Sequence, residues 1–441
     1  NKKRNPGPSL IVSTDKFVLP VNTNTTPDSF NALTQELLSS GAGYLHPKSK
    51  ARSFIELGLD NVNENTLLLK NIAYQKLSQQ EKNNTAKLFT CDLNLLTSMA
   101  KEFLKETNRE FGTAWSLSKI SRVMQVALDH CYRDQALTQI VTQRPYGHSV
   151  VASHYQRVST EHIESCIKSA HEWINAYILS GKPGPSQIVK SVSCSDDAYI
   201  GSDLVLPDSY LKDLCQHLQL HAGAASRLEY GDRRLQHTHN RLVAYISTWL
   251  GLITGYRAVA DPFDEPDNLD RQTGLLIISD KDNSLYQHTR LVPVTQLFIQ
   301  QLDCYINHLS DLSSQLSHKP TIQENILRLV WKCRNRVDSR KSNPLSLLFL
   351  LSDSLQARAL SPANLKEFLP PLNIRPNANR HYLRTRLIEL GAPGELISYF
   401  MGHWEAGEEP YNKFSPIDPV TIASEIRPYI EDLEQRAEWS P

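Results

Sequence analysis

Residues 379–411, NRHYLRTRLIELGAPGELISYFMGHWEAGEEPY, constrain this chain more than any other stretch. His381 and Arg384 stand three apart, the spacing that puts two side chains on one face of a helix. Gly391 and Pro393 then break the helix, a short apolar segment follows, and His403 and Trp404 come directly after Gly402. An acidic loop containing glycine leads to Tyr411. If these short helices fold against each other, two histidines, an arginine and a tyrosine converge. Such a set can hold an anion while a phenol attacks it, provided that other segments supply further cations.

Upstream, two islands offer them. An apolar pattern at 3–4 spacing over 240–254 (Leu242, Tyr245, Ile246, Trp249, Leu250, Ile253) predicts a buried helix ending at Gly255, and Tyr256-Arg257 follows at once. An arginine at the end of a buried helix must pair or meet a ligand, because an isolated interior charge is costly. LLIIS (275–279) and RLVPV (290–294) read as two strands of a hairpin, with Lys281 near its tip. Residues 295–370 read as largely helical, through Leu297, Ile299, Leu302, Tyr305 and Ile306, then Ile326, Leu329, Val330 and Trp331.

The N-terminal half has another character. Residues 1–85 are polar and proline-punctuated, with basic clusters at Lys2-Lys3-Arg4 and Lys48-Lys50-Arg52; helix is expected only around 29–40 and 64–79. They read as an extension, a possible DNA-contacting arm. Over 86–200 the pattern is helical: Leu95, Leu96, Met99 and Phe103, then Val123, Val126, Ala127 and Cys131, then a helix expected to be capped by Thr160. Lys119, Arg122, Arg133, Arg144 and Arg157 accumulate here and could form one basic, phosphate-binding face. Gly181 and the following KPGPS mark a linker near 181–200, so the third segment is 201–441.

Composition narrows the classes. Lys and Arg number 47 and so do Asp and Glu, so any polyanion site must come from local patches. Seven scattered cysteines without a CxxC read as reduced thiols of a cytoplasmic protein, without a zinc site. No apolar run reaches the ~18–20 residues of a membrane span. Gly-rich phosphate loops, HExxH, GxSxG and paired-carboxylate motifs are absent from the sequence.

Each piece alone is ordinary: HxxR recurs by chance, and GHW is three residues long. In order, TGYR with Arg257, the hairpin with Lys281 and RLVPV, His381-x-x-Arg384, LIELGAP, MGHW with His403, and Tyr411 resemble the catalytic domain of the tyrosine recombinase (phage-type integrase) family of DNA breaking–rejoining enzymes. The resemblance covers roughly residues 205–441. It departs from the common pattern in a shorter HxxR-to-GH interval, a His403–Tyr411 interval shorter by one residue, and a long Lys281–His381 interval that suggests an insertion within about 300–370.

The resemblance implies a mainly α fold with a small β-sheet (α+β), in which a helical core-binding domain and the catalytic domain form a C-shaped clamp on double-stranded DNA. It implies phosphodiester transesterification through a 3′-phosphotyrosyl intermediate, without metal or nucleotide cofactor, serving integration, excision or resolution of a mobile DNA element. Tyr411 would be the nucleophile, His381 the general base, Lys281 the general acid, Arg257 and Arg384 the phosphate clamp, and His403 a phosphate donor. A cytoplasmic enzyme that multimerises on DNA is expected. The apolar stripe Ile422, Ile426, Tyr429, Ile430 and Leu433 of a terminal helix would pack either at home or on a neighbouring protomer. The alternatives are a catalytically impaired DNA-binding relative of the same fold and a topoisomerase of the same chemistry.

Overall fold

The computed structural model describes residues 11–13, 16–20, 54–58 and 93–441, except 143–148, 181–198, 229–230, 258, 260, 264, 280–288, 336–344, 366, 368–376, 405–414 and 416. Arg144, Lys281 and Tyr411 lie outside these residues, as do the helices expected around 29–40 and 64–79 and the linker. The described chain is mainly helical with small antiparallel sheets, and it divides into two compact units between Asp203 and Leu204. Among the described residues, no helix is long and apolar enough to cross a membrane.

In the first unit, strands β1 (Ile11–Ser13), β2 (Lys16–Pro20) and β3 (Phe54–Gly58) pair in that order as an antiparallel sheet. Helices α1 (Leu93–Phe111), α2 (Leu117–Ile120), α3 (Val123–Tyr132), α4 (Gln135–Thr142) and α5 (Ser149–Tyr155) precede β4 (Arg157–Ser159), α6 (Thr160–Ser180) and β5 (Tyr199–Gly201), which pairs with β4. Leu128, Leu137, Ile163 and Cys166 form the centre of its core. One expectation needs correction. The α6 cap is Ser159, whose Oγ accepts the His162 N–H at 3.1 Å, because Thr160 is already in the first turn. In α1, Leu95, Met99 and Phe103 are exposed, although their spacing is that of a core stripe. Spacing states that side chains share a face; it does not state what covers that face.

The second unit has one continuous core. Helices α7 (Asp208–Leu228) and α8 (Asp232–Thr254) pack together. Val243, Ile246, Trp249, Leu250 and Ile253 bury one face of α8 at helical spacing. A short 3-10 turn (Pro266–Asn268) leads into the three-stranded antiparallel sheet β6 (Leu269–Asp270), β7 (Leu275–Ile278) and β8 (Arg290–Pro293). Helices α9 (Gln296–Gln315) and α10 (Pro320–Asn335) follow.

The largely helical reading of 295–370 holds in these two helices, and the apolar run after them departs from it. Strand β9 (Phe349–Leu351) is buried at every residue and pairs with β10 (Ala357–Ala359). Periodicity cannot distinguish a short, fully apolar strand from a buried helical turn. Asn240 on α8 completes β9 as a surrogate strand neighbour: its Oδ1 accepts the Leu351 N–H at 2.7 Å, and its Nδ2 donates to the Leu351 carbonyl at 2.8 Å. Trp331, a member of the apolar helical repeat, is half exposed on α10.

After α11 (Pro362–Leu365), helices α12 (Ala378–Glu389), α13 (Gly394–Met401) and α14 (Pro419–Arg436) complete the unit. Asp418 caps α14 by accepting the Val420 and Thr421 N–H groups. Ile422, Ile426, Ile430 and Leu433 are buried, Trp439 stacks on Trp249 at 5.3 Å, and the Tyr245 hydroxyl donates to the Ser440 carbonyl at 2.6 Å. The apolar stripe of the terminal helix therefore lies in the core of its own chain.

Candidate anion-binding site at two helix C-termini

Helices α8 and α13 end in the same way. Gly255 and Gly402 each adopt left-handed backbone, at φ 58° and 70°, and turn the chain out of its helix. The Gly255 N–H donates to the Gly251 carbonyl, and the His403 N–H donates to the Ser398 carbonyl at 2.8 Å. Each glycine delivers a polar residue almost at once, Arg257 after the first and His403 after the second. At Gly255 a Cβ would lie 3.1 Å from Leu383 Cδ2, and at Gly402 one would lie 3.4 Å from Arg290 Cδ. Conformation favours glycine at both ends, and at Gly255 the close Leu383 side chain does so as well.

Two buried arginines tie these ends together. Arg290, the first residue of β8, is 1% exposed; its Nη1 donates to the carbonyls of Thr254 (2.9 Å) and Phe400 (2.6 Å), and its Nη2 to that of Gly255 (3.1 Å). Arg380, in the first turn of α12, is fully buried; its Nη1 donates to the Gly255 carbonyl (2.7 Å) and its Nη2 to the Met401 carbonyl (2.6 Å). A helix C-terminus carries partial negative charge and unpaired carbonyls, so it is a place where a buried guanidinium can be stable. Asn379 adds a clasp, donating to the Gly251 and Tyr256 carbonyls at 2.7 Å each. The backbone carrying Arg257 is thereby fixed to α12.

Helix α12 buries His381 and Arg384 one turn apart, between Arg380 and Thr385. Arg380 also reaches His403: Nη2 lies 2.9 Å from Nε2 of the ring. Part of His403 remains at the surface, but its Nδ1 is fully buried. Burial, and then the charges of Arg380, Arg384, Arg257 and Arg290, hold this imidazole well below its ordinary range. His403 is consequently neutral at pH 7. Arg257 is half-buried, and its Nε and Nη1 find no hydrogen-bond acceptor among the described residues.

The structure thus brings Arg257, Arg384 and His403 into one electrostatic group, with His381 beside them on α12. Lys119, Arg122 and Arg133 are exposed on the first unit, whereas the Arg157 guanidinium lies over the Tyr199 ring at 3.5 Å. Two members escaped the sequence reading, Arg290 and Arg380. Their acceptors are backbone carbonyls at the ends of remote helices, which no motif encodes. The available signal was an arginine opening an inward-facing apolar strand, and another adjoining His381.

The arrangement can bind a singly or doubly charged oxyanion, offering permanent cations and a neutral imidazole N–H. Among the described residues, no three His, Cys, Asp or Glu side chains cluster as metal ligands. No protein-family model, curated protein or solved structure matches the chain.

Proposed function

We propose that the chain is a DNA strand transesterase of the tyrosine recombinase type, cutting and rejoining DNA for integration, excision or resolution. The observation that carries this reading is the group of four guanidiniums acting on neutral His403, with Arg257 N–H donors buried and unsatisfied among the described residues. An unsatisfied buried donor costs on the order of 1–3 kcal/mol. The non-bridging oxygens of a phosphodiester are acceptors of the right charge to relieve that cost.

In this reaction the Tyr411 oxygen attacks phosphorus, the P–O5′ bond breaks, and the phosphate becomes esterified to tyrosine on its 3′ side. The phenolic proton passes to His381, needed because a phenol of pKa about 10 is a weak nucleophile at pH 7. Lys281 returns a proton to the departing 5′-oxygen. Arg257 and Arg384 stabilise charge as it grows on the phosphoryl oxygens, where preorganised donors act most strongly in the transition state. Attack by a second strand's 5′-hydroxyl reverses the step and restores the phosphodiester without an external energy source. Double-stranded DNA would lie in a clamp closed by the basic side chains of the helical unit, with several copies assembling on it.

The test is a covalent adduct. Nicked suicide duplexes drawn from a random-sequence library are incubated with the chain, and protein–DNA species surviving denaturant are isolated and sequenced. Wild type gives an adduct and Tyr411→Phe gives none. An adduct that persists in Tyr411→Phe assigns the nucleophile elsewhere, and a chain that binds duplexes without any adduct is a binding protein. Exchange between two selected sites, as opposed to relaxation of supercoils alone, separates recombination from topoisomerase action.

A further inference from the structure

We propose that Arg380 is a positioning residue that holds His403 as its Nδ1–H tautomer, so that this histidine donates to the scissile phosphate through Nδ1 and takes no proton from the nucleophile. The catalytic half of the proposal rests on the transesterase reading; the tautomer does not.

A guanidinium has only donors. At 2.9 Å from Arg380 Nη2, His403 Nε2 must therefore accept, and a neutral ring that accepts at Nε2 carries its hydrogen on Nδ1. The two hydrogens of Nη2 match two acceptors, His403 Nε2 and the Met401 carbonyl at 2.6 Å. Arg380 cannot turn away easily, because Nη1 is held on the Gly255 carbonyl at 2.7 Å and the side chain is fully buried. The ring is anchored in turn by the His403 N–H on the Ser398 carbonyl, beyond left-handed Gly402. Adding a second proton would place an imidazolium among four guanidiniums, which burial and like charge both oppose. With Nε2 engaged and protonation opposed, His403 is a donor, and general-base duty falls to His381 alone.

Long-range proton–nitrogen NMR of the full chain labelled with 15N-histidine reads the tautomer directly, with His403 assigned by the signal lost in His403→Gln. The expected pattern is Nδ1–H, unchanged between about pH 5 and 8. Arg380→Lys, which still has only donors, keeps that pattern. Arg380→Met releases Nε2, giving a mixed or Nε2–H tautomer and restoring some titration in that window. On the duplexes selected above, Arg380→Met slows adduct formation by about 10²-fold, the scale of a misplaced catalytic donor. Arg380→Lys recovers most of that loss. An Nε2–H or doubly protonated His403 in wild type overturns the proposal, as does an unchanged ring signal in Arg380→Met. If Arg380→Met does not fold, the wild-type and Arg380→Lys spectra decide. An Nδ1–H ring in a chain that never forms an adduct leaves the tautomer standing and rejects the transesterase reading.

Discussion

His239 and His403 belong to the same unit, and burial holds both imidazoles well below their ordinary range. Their neighbours differ. His239 Nε2 donates to the Phe349 carbonyl at 3.0 Å, so Nδ1 accepts from His308 Nε2 at 3.2 Å, and the ring lies among Tyr305, His308 and Phe349. Every polar atom is satisfied inside a packed core. His403 carries the opposite tautomer and stands among guanidiniums, one of which retains unsatisfied donors. Loss of charge alone does not mark a functional histidine. What distinguishes the two is whether the surrounding polar groups complete one another or are left needing a ligand.

The sharpest way to break this contrast is Arg257→Ala. Removing one preorganised oxyanion donor should slow adduct formation by on the order of 10²–10³-fold. Thermal unfolding should show stability unchanged or raised, because an unsatisfied buried donor is removed. A large loss of stability would make Arg257 a structural residue. Arg290→Met should do the reverse in stability, losing on the order of 3 kcal/mol by taking their guanidinium donor from the buried Thr254 and Phe400 carbonyls, while the Gly255 carbonyl keeps Arg380. Denaturant titration measures it, and a near-neutral result would remove Arg290 from the scaffold.

His239→Leu should destabilise by roughly 2 kcal/mol, since it leaves His308 and the Phe349 carbonyl without partners. The adduct rate per folded molecule should be unchanged; a selective loss of rate would undo the contrast with His403.

Titration extends the comparison to a carboxyl. Glu434 is 3% exposed, and its Oε1 accepts from Trp249 Nε1 at 2.7 Å and Thr295 Oγ1 at 2.6 Å. Burial pushes its pKa up to about 7, and the two hydrogen bonds pull it down less strongly. The unfolded carboxyl ionises near its ordinary value of 4.5, so the folded state holds the extra proton between that value and about 7. Stability from this group is therefore full below that window, falls as pH rises through it and levels off above. Glu434→Gln keeps the acceptor and removes the ionisation; it should be more stable at alkaline pH by on the order of 1–3 kcal/mol. No gain there would mean that the carboxylate is solvated in place.

The histidines have the opposite sign. With folded values depressed, the unfolded chain binds more protons as pH falls below about 6.5, so stability drops with acid. His403→Gln and His239→Leu should each flatten that slope, the smallest of these effects. A slope unchanged in both variants would mean that neither ring is held neutral.

Legibility of the molecule followed the kind of information each part needs. The α8 helix, the β7–β8 hairpin and the HxxR turn of α12 were readable because apolar period, turn residues and spacing are local. The β9 strand was not, since its three residues are buried whichever way they are wound, and its partners Asn240 and β10 come from elsewhere. Arg257 and His403 were legible as candidates because each follows a glycine that ends a helix, and His381 and Arg384 because three-residue spacing puts them on one helix face. Arg290 and Arg380 resembled any other arginine.

The sequence by itself determined where the helices stop: Gly255 and Gly402 can take left-handed backbone with little strain, and whatever follows them leaves the helix there. Only the tertiary structure decided that these two ends meet. Their carbonyls need donors, Arg290 and Arg380 supply them from remote elements, and burial together with these and the neighbouring guanidiniums holds His403 neutral. A charge buried against helix ends takes its stability from geometry assembled by the whole unit, and no local pattern carries that.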